Sequence, residues 1–200
     1  MNFRIVALGL LLMAQAGLAQ ESYKPAKARA AERAAMLETL QKGKEIKGSR
    51  EQYRHLPEVL AVAQDANETP QQAIERIGAS GAQLVETKGR LVLFRSAQQK
   101  AASVERVAGA SVFPTAVNTR TGTFGVLTGT LVVKPKRLAD AAAIASSHGL
   151  EKGKEYPHLH TVFYRAKAGA DIADVAAALQ ADPRIESAYP EIIEYVRSPK

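Results

Sequence analysis

Residues 129–190 read GTLVVKPKRLADAAAIASSHGLEKGKEYPHLHTVFYRAKAGADIADVAAALQADPRIESAYP, and this stretch decides the fold. Runs rich in β-branched and aromatic residues alternate in it with two alanine-rich runs, and such runs are typical of strands and helices respectively. The resulting order is strand, helix, strand, strand, helix, strand. This order predicts a ferredoxin-like βαββαβ module, which is an antiparallel sheet with two helices. The fold class we expect is therefore α+β.

Local signals mark the ends of the two predicted helices. Gly149 ends the first helix, since a left-handed C-cap position favours glycine. Asp171 is the predicted N-cap of the second helix. Asp182 ends that helix because a residue before proline leaves the α region, and Pro157 separates the two central strands. The module is predicted to span residues 126–190.

The predicted strand at residues 159–165 alternates two sets of side chains, so that each set faces one side of the sheet. His160, Val162 and Tyr164 form one of these sets. We predict that they form an exposed face that contacts a partner, because tyrosine is over-represented at protein interfaces. The alternative is that Tyr164 covers the edge of the core.

The order and spacing of short motifs in residues 131–190 resemble those of the prodomains of subtilisin-like serine proteases. The matching residues are His148-Gly149-Leu150 after the first helix and Asp182-Pro183-Arg184-Ile185-Glu186-Ser187-Ala188-Tyr189-Pro190 at the last strand. A prodomain is expected to precede a catalytic domain, and this sequence ends at Lys200. The chain is therefore similar to the external chaperones, free-standing propeptide-like inhibitors that accompany subtilisin-like proteases of some Gram-negative bacteria.

This resemblance implies a periplasmic or secreted protein that acts in trans on a subtilisin-like serine protease. It implies that the chain helps the protease to fold and holds it inactive in a 1:1 complex. The sheet face of the prodomain-like module is expected to dock on the protease, and the C-terminal tail is expected to enter the substrate cleft. The resemblance implies neither catalysis nor a cofactor.

Residues 191–200 (EIIEYVRSPK) are predicted to form an extended C-terminal tail. An extended segment pairs with a cleft through its backbone, as in β-augmentation. The tail interpretation places Lys200 in the primary specificity pocket, and the alternative is a frayed terminus with a solvated lysine. The predicted protease-binding residues are Ile192, Ile193, Glu194, Tyr195, Val196, Arg197, Ser198, Pro199 and Lys200.

Residues 67–121 are predicted to form a smaller α/β module of a related plan. A helix is predicted to begin at Pro70, which suits the first helical position, and Lys88-Gly89 is predicted to join two strands in a tight hairpin. A second helix is expected over residues 97–107, with a strand after it. The threonine- and glycine-rich residues 118–125 are then a turn or linker between the two modules.

Residues 1–19 have the pattern of a secretory signal peptide, with a positive residue at Arg4, an apolar run and small residues near Ala19. We predict cleavage near Ala19 and no membrane anchor in the mature chain. The alternative is a membrane anchor, but the apolar run at residues 5–13 is short for a bilayer span. The predicted localisation is therefore periplasmic or secreted.

Residues 20–66 are predicted to form a basic arm, partly disordered or helical, with a short helix over residues 53–64. The whole chain carries a formal net charge of +7, and much of the excess lies in this arm. One interpretation is a solvated arm. The other is a non-catalytic exported adaptor that recognises an anionic envelope polymer through the arm. Nucleic acid is not an expected partner, because an exported protein rarely meets it.

The sequence lacks the usual signals of catalytic chemistry. There is no cysteine, which excludes disulfides, thiolate zinc sites and a cysteine nucleophile. His158 and His160 form a pair that suits a metal ion, but no third ligand is evident nearby apart from Glu155 or His148, and we expect two surface histidines. No nucleophile elbow, zincin motif or phosphate loop is present. We therefore expect no enzyme activity, no metal site and no cofactor.

Overall fold

The computed structural model of the chain describes residues 43–99 and 101–194. The predicted signal peptide, the first part of the basic arm and residues 195–200 of the predicted tail lie outside the described residues. All described residues belong to one compact unit, Thr39–Lys200. None of the helices within them has the length and the apolar character that a membrane crossing requires.

The described residues form ten strands and three α-helices. The strands are β1 (Glu45–Lys47), β2 (Gln52–Ala63), β3 (Gln83–Lys88), β4 (Leu91–Arg95), β5 (Glu105–Val107), β6 (Ala110–Asn118), β7 (Phe124–Pro135), β8 (Glu151–Tyr156), β9 (Thr161–Arg165) and β10 (Ile185–Ile193). The helices are α1 (Pro70–Arg76), α2 (Ala141–Ser147) and α3 (Ile172–Ala181), with 3-10 turns at Leu138–Asp140 and Pro157–Leu159.

The described strands join in one antiparallel sheet of ten strands, whose main path runs in the order β3-β4-β2-β6-β7-β9-β8. Off this path, β1 pairs with β2, β5 with β6 and β10 with β7. The two strands of twelve residues, β2 and β7, pair with strands on both sides. The expected α+β class is confirmed in this form, as a large antiparallel sheet with a few helices.

The C-terminal half contains β7, α2, β8, β9, α3 and β10 in the predicted order. Its strands lie side by side as β10-β7-β9-β8. Both helices pack on the same face of these strands, in one cluster of buried side chains. Its largest fully buried members are Leu131, Ile144, Tyr164 and Leu179.

The predicted caps define where the helices start and stop. The Asp171 carboxylate accepts hydrogen bonds from the backbone N–H groups of Ala173 and Asp174, which satisfies two of the unpaired donors at the start of α3. Gly149 follows α2 with a φ of +64°, a left-handed conformation that glycine adopts without strain. Thr69 caps α1, as its position before Pro70 predicts.

The first half of the chain differs from the prediction in two places. Residues 53–64, predicted as helical, lie almost entirely in β2, and residues 105–107 of the second predicted helix form β5. β2 is buried along much of its length, and an apolar run of this kind fits a central strand as well as a buried helix. Pro57 lies at the irregularity in the β2–β6 pairing between Leu56 and Leu60, where a strand tolerates a missing N–H group.

The prediction of a disordered or helical arm is wrong for residues 43–66. This part of the arm contains β1 and β2, and both strands belong to the sheet. Ile46 and Tyr53 are buried in a cluster that includes Ile172 of α3. These apolar residues are sparse along the sequence, and they meet their partners only when the chain folds.

Tight turns join the paired strands. Ala108 and Gly109 both have a positive φ, and their turn folds β5 back on β6. This hairpin begins where the predicted helix was expected to end. The predicted hairpin at Lys88-Gly89 joins β3 to β4. The predicted linker at residues 118–125 contains the turn of a third hairpin, between β6 and β7. The two predicted modules therefore share one continuous sheet.

The hydroxyl of Tyr164 gives a first test of the packing. Tyr164 is 1% exposed, and its hydroxyl donates a hydrogen bond of 3.0 Å to the backbone oxygen of Ala141 in α2. We expect Tyr164→Phe to lower the free energy of unfolding by about 1 kcal/mol, because a buried carbonyl loses its donor. Tyr164→Ala is expected to cost about 3–5 kcal/mol through the cavity it leaves. Urea unfolding measures both, and an unchanged midpoint for Tyr164→Phe would contradict the role of the hydroxyl.

Candidate functional site

The structure places the three predicted sheet-face residues in different surroundings. Val162 and Tyr164 are 0% and 1% exposed and pack beneath the helices. His160 precedes β9 and has a φ of +49° at the end of a 3-10 turn. The prediction that these residues form one exposed face is therefore wrong. Alternation along a strand separates two sets of side chains, but it does not say which set the helices cover.

The opposite, helix-free face of this half of the sheet carries a row of apolar side chains. Val132 on β7 lies opposite Phe163 on β9 and opposite Tyr189 on β10. The ring of Tyr156 on β8 meets the Phe163 ring edge-on, with 5.5 Å between the two centroids. All four residues are half-buried. We call Tyr156, Phe163, Val132 and Tyr189 the open-face row.

Charged side chains surround the open-face row. Lys134 pairs with Glu186 at 3.6 Å, and the ammonium group of Lys154 lies 5.3 Å from the centre of the Tyr156 ring. Arg165 is exposed at the end of β9. An apolar centre with aromatic residues and a charged rim is the composition of a protein–protein interface.

Two open cavities border the same face. One of about 190 Å³ is lined by Tyr189 and Val132 together with residues of the β1–β2 turn. The other, of about 320 Å³, is lined by Phe163 and Arg165 together with residues of β8. Half-exposed rings beside concave surface suit the interlocking contacts at the centre of protein interfaces.

The last strand runs further than the sequence predicted. Ile192 and Ile193 pair with Leu127 and Val126 of β7, past an irregularity after Pro190. The predicted tail was placed after Pro190, but a local register shift allows pairing to resume beyond a proline. Ile192 and Ile193 of the predicted tail therefore belong to the sheet.

Glu194, directly after β10, is held by residues from the first half of the chain. Its side-chain Oε1 accepts a hydrogen bond of 3.0 Å from the Asn118 amide, and its backbone oxygen accepts one of 3.0 Å from the Lys88 ammonium group. Of the nine predicted tail residues, Ile192, Ile193 and Glu194 are thus bound to their own chain. The remaining six, Tyr195, Val196, Arg197, Ser198, Pro199 and Lys200, lie outside the described residues.

The described part of the predicted basic arm makes ion pairs within the chain. The Lys44 ammonium group lies 2.8 Å from the Asp171 carboxylate and 2.7 Å from the Asp174 carboxylate at the start of α3. These hydrogen bonds, first that to Asp171, raise the pKa of Lys44. Arg54 pairs with Glu45 at 2.8 Å. No contact in this part favours an anionic polymer as ligand, and the adaptor function stays a prediction.

Residues that carry the sequence resemblance bind one another. His148 Nε2 lies 2.8 Å from Asp182 Oδ2, and the Arg184 guanidinium donates to the same carboxylate through Nε at 3.0 Å. Arg184 also donates to the Ser147 hydroxyl at 2.7 Å. The cluster joins the C-terminal ends of α2 and α3 to the start of β10. Its role in this geometry is to stabilise the module.

Asp182 predicts how stability changes in acid. Hydrogen bonds from Arg184, and then from His148, hold the pKa of Asp182 well below its ordinary value of 3.8. Because the folded-state pKa is lowered, this stabilisation is complete above about pH 4 and is lost as the pH falls toward the folded-state value. We expect the thermal midpoint to fall between about pH 4 and pH 2, and Asp182→Asn to flatten that decline.

Glu186→Gln serves as the control for this experiment, because Glu186 is exposed and pairs only loosely with Lys134. It is expected to leave the decline as in the wild type. Melting curves recorded from acid to neutral pH give the thermal midpoint of each variant. An equally steep decline of the midpoint in the wild type and in Asp182→Asn would contradict the role of Asp182.

The histidine pair predicted at the surface lies at the turn between β8 and β9. The His158 ring meets the Tyr156 ring edge-on at 6.2 Å, and Leu159 beside it is 56% exposed. Within residues 43–99 and 101–194, no three His, Asp or Glu side chains are grouped closely enough to hold a metal ion.

Two comparisons relate this chain to known proteins. A model of the family described as the open reading frame 2 N-terminal domain matches residues 90–199, more than half of the chain. One chain in the crystal structure of a complex between the Aeromonas sobria serine protease and its chaperone is 22% identical, covers 49% of this chain and 100% of its own length, and has a TM-score of 0.36. No curated protein matches the sequence.

Proposed function

The chain belongs to the family of the open reading frame 2 N-terminal domain, and from that premise we propose that it is a chaperone and inhibitor of a subtilisin-like serine protease. The family agrees with the resemblance in residues 131–190 and confirms that the chain is not an enzyme. One observation carries the proposal. The strand β10 bears Tyr189 of the open-face row and, a few residues later, the start of the tail.

The open-face row is the proposed docking surface. Phe163 and Tyr189 are half-exposed aromatic side chains, and aromatic residues dominate the centres of interfaces. The strand order β10-β7-β9-β8, with both helices on the other face, supports a ferredoxin-like module that leaves this face open to a partner. On β9, the residue proposed to bind is thus Phe163, which lies between the two residues of this strand that the sequence indicated, Val162 and Tyr164.

Binding of this kind explains the chaperone activity physically. A surface that binds the native protease and not its unfolded chain stabilises the native state by mass action, by about 2.7 kcal/mol at a hundredfold excess over Kd. A rigid sheet is well suited to this role, because little conformational entropy is lost when it binds.

Inhibition is assigned to residues 195–200. In this proposal they leave the end of β10 and lie extended in the substrate cleft, where the backbone pairs with the protease as an added strand. Lys200 is proposed to enter the primary specificity pocket, so the partner is expected to prefer a basic residue there. The complex has one copy of each chain, and residues 1–19 direct the protein to the periplasm or the medium.

A co-expression experiment tests the proposed function. The reading frame beside this gene is expected to encode a subtilisin-like serine protease. Expressed with this protein, the protease should mature and accumulate, and it should be active once the two proteins are separated. Expressed alone, the protease should be degraded or remain inactive. Equal yields of active protease with and without this protein would overturn the proposal.

A further inference from the structure

The end of β10 is fixed by three neighbours that belong to the first half of the chain or to the start of β7. Asn118 ends β6, Lys88 ends β3, and Gly125 is the second residue of β7. We call Lys88, Asn118 and Gly125 the strand-end clamp. The contacts from Lys88 and Asn118 to Glu194 span 106 and 76 positions of sequence, so these two residues fix the strand end through tertiary structure alone.

Hydrogen bonds within its own turn orient the Asn118 side chain toward the strand end. It is 1% exposed, and its side-chain oxygen accepts hydrogen bonds from the N–H groups of Arg120 and Thr121, at 3.0 and 3.1 Å. These bonds fix the direction of the amide nitrogen, which donates to Glu194. Burial, and then the charge of Glu194, raises the pKa of the nearby Tyr53 to about 12. The Glu194 carboxylate therefore lies among residues of β2 and β6.

Lys88 contributes a charged donor from the edge of the sheet. Its side chain is 10% exposed, and its ammonium group pairs with Glu86 at 2.9 Å as well as with the backbone oxygen of Glu194. A charged donor to a backbone carbonyl is stronger than a neutral one. Because the acceptor is backbone, the bond fixes the path of the main chain at residue 194, whichever side chain is present there.

Packing fixes the same strand end from both faces. A Cβ atom on Gly125 would overlap Cγ2 of Ile192, so the isoleucine occupies the space that glycine leaves. On the other side, Ile193 packs against a cluster that includes Leu93 of β4 and Val126 of β7. The strand end is therefore held by packing below and above it, and by hydrogen bonds at its last residue.

We propose that Lys88 and Asn118 are positioning residues for the tail, because they fix the position and the direction of the chain at Glu194, from which residues 195–200 continue. The first half of the sheet then supports the inhibitory segment by holding Glu194 in place. This inference rests on the proposed function, in which the tail enters the substrate cleft. Holding Glu194 in place raises the affinity of the tail for the cleft, because less conformational freedom is lost when the tail binds.

Three substitutions test the proposal in the full chain. Asn118→Asp keeps the oxygen that the turn requires, but it sets a second carboxylate against Glu194. Lys88→Met removes the donor to the backbone. Each is expected to weaken inhibition of the partner protease by about tenfold, which is the effect of one lost hydrogen bond of this class. Glu194→Gln added to Asn118→Asp is expected to restore inhibition, because the new amide donates to the new carboxylate.

Two controls separate a positioning role from a merely structural one. In a chain that ends at Glu194, the same substitutions are expected to leave docking to the protease unchanged, since no tail remains to be positioned. Lys44→Met removes two ion pairs at the start of α3, with Asp171 and Asp174, and is expected to leave inhibition unchanged in the full chain. Melting curves identify any variant that fails to fold. If Asn118→Asp fails to fold, the inhibition measured with Lys88→Met tests the proposal.

A measurement on the free protein separates this inference from the proposed function. The chain has no cysteine, so nitroxide labels at Ser198→Cys and Ala177→Cys report one distance distribution. Asn118→Asp and Lys88→Met are expected to broaden it, and Glu194→Gln is expected to narrow it again in the Asn118→Asp chain. Unchanged distributions would overturn the positioning role even if the protein inhibits. Broadening in a protein that inhibits no protease would support the positioning role and defeat the proposed function.

Discussion

A chain that ends at Glu194 is expected to lose inhibition by at least about 100-fold and to keep its fold. The tail supplies several backbone hydrogen bonds to the cleft, and three such bonds of about 1 kcal/mol each already amount to more than a hundredfold. The described strands all end before residue 195, so the melting temperature is expected to change by less than about 2 °C. Inhibition constants measured against the partner protease, with melting curves of the free chains, provide the test.

A shorter chain, ending at Ile192, is the matched comparison. It also loses Ile193, which packs against Leu93 and Val126, and Glu194, which Asn118 and Lys88 hold. This chain is expected to lose about 1–3 kcal/mol of stability in addition to its inhibition. If the chain ending at Glu194 inhibits as well as the full chain, the tail is not the inhibitory segment.

Phe163→Asp is expected to have the second large effect. Phe163 lies at the centre of the open-face row, between Val132 and Tyr156, and no helix of the described residues covers it. A carboxylate there places a charge at the centre of the interface, and such a change costs about 2–4 kcal/mol of binding, or roughly 30- to 1,000-fold in Kd. The side chain is half-exposed in the free protein, so stability is expected to fall much less.

Ala177→Asp is the control for the docking face. Ala177 is exposed on α3, in the helical layer on the opposite side of the sheet. The same charge placed there is expected to leave affinity unchanged. Titration calorimetry with an inactivated protease measures both variants, and equal losses for the two, or no loss for Phe163→Asp, would show that the open-face row is not the docking surface.

Local signals in the sequence predicted the elements of the C-terminal half well. The caps at Asp171 and Thr69 and the glycine at 149 act through neighbouring residues, so their effects can be read from the sequence. β2 was predicted as a helix because a buried apolar run has no diagnostic period, and its pairing partners lie far along the chain.

The candidate site was predictable only in part. The sequence identified the strand β9, but it assigned the exposed role to Val162 and Tyr164 rather than to Phe163. The over-representation of tyrosine at interfaces suggested exposure. The Ala141 carbonyl that binds the Tyr164 hydroxyl is known only from the fold. The partners of Glu194 carried no sequence signal, because a lysine at a strand end and an asparagine in a turn have common local roles.

Refolding of the partner protease tests the central claim most directly. The denatured protease is diluted into buffer with increasing amounts of this protein, and native protease is counted by active-site titration after the two are separated. We predict that the yield rises in proportion to added protein, reaches a plateau at one copy of each chain, and rises much less with Phe163→Asp. A yield that does not depend on this protein would contradict the account.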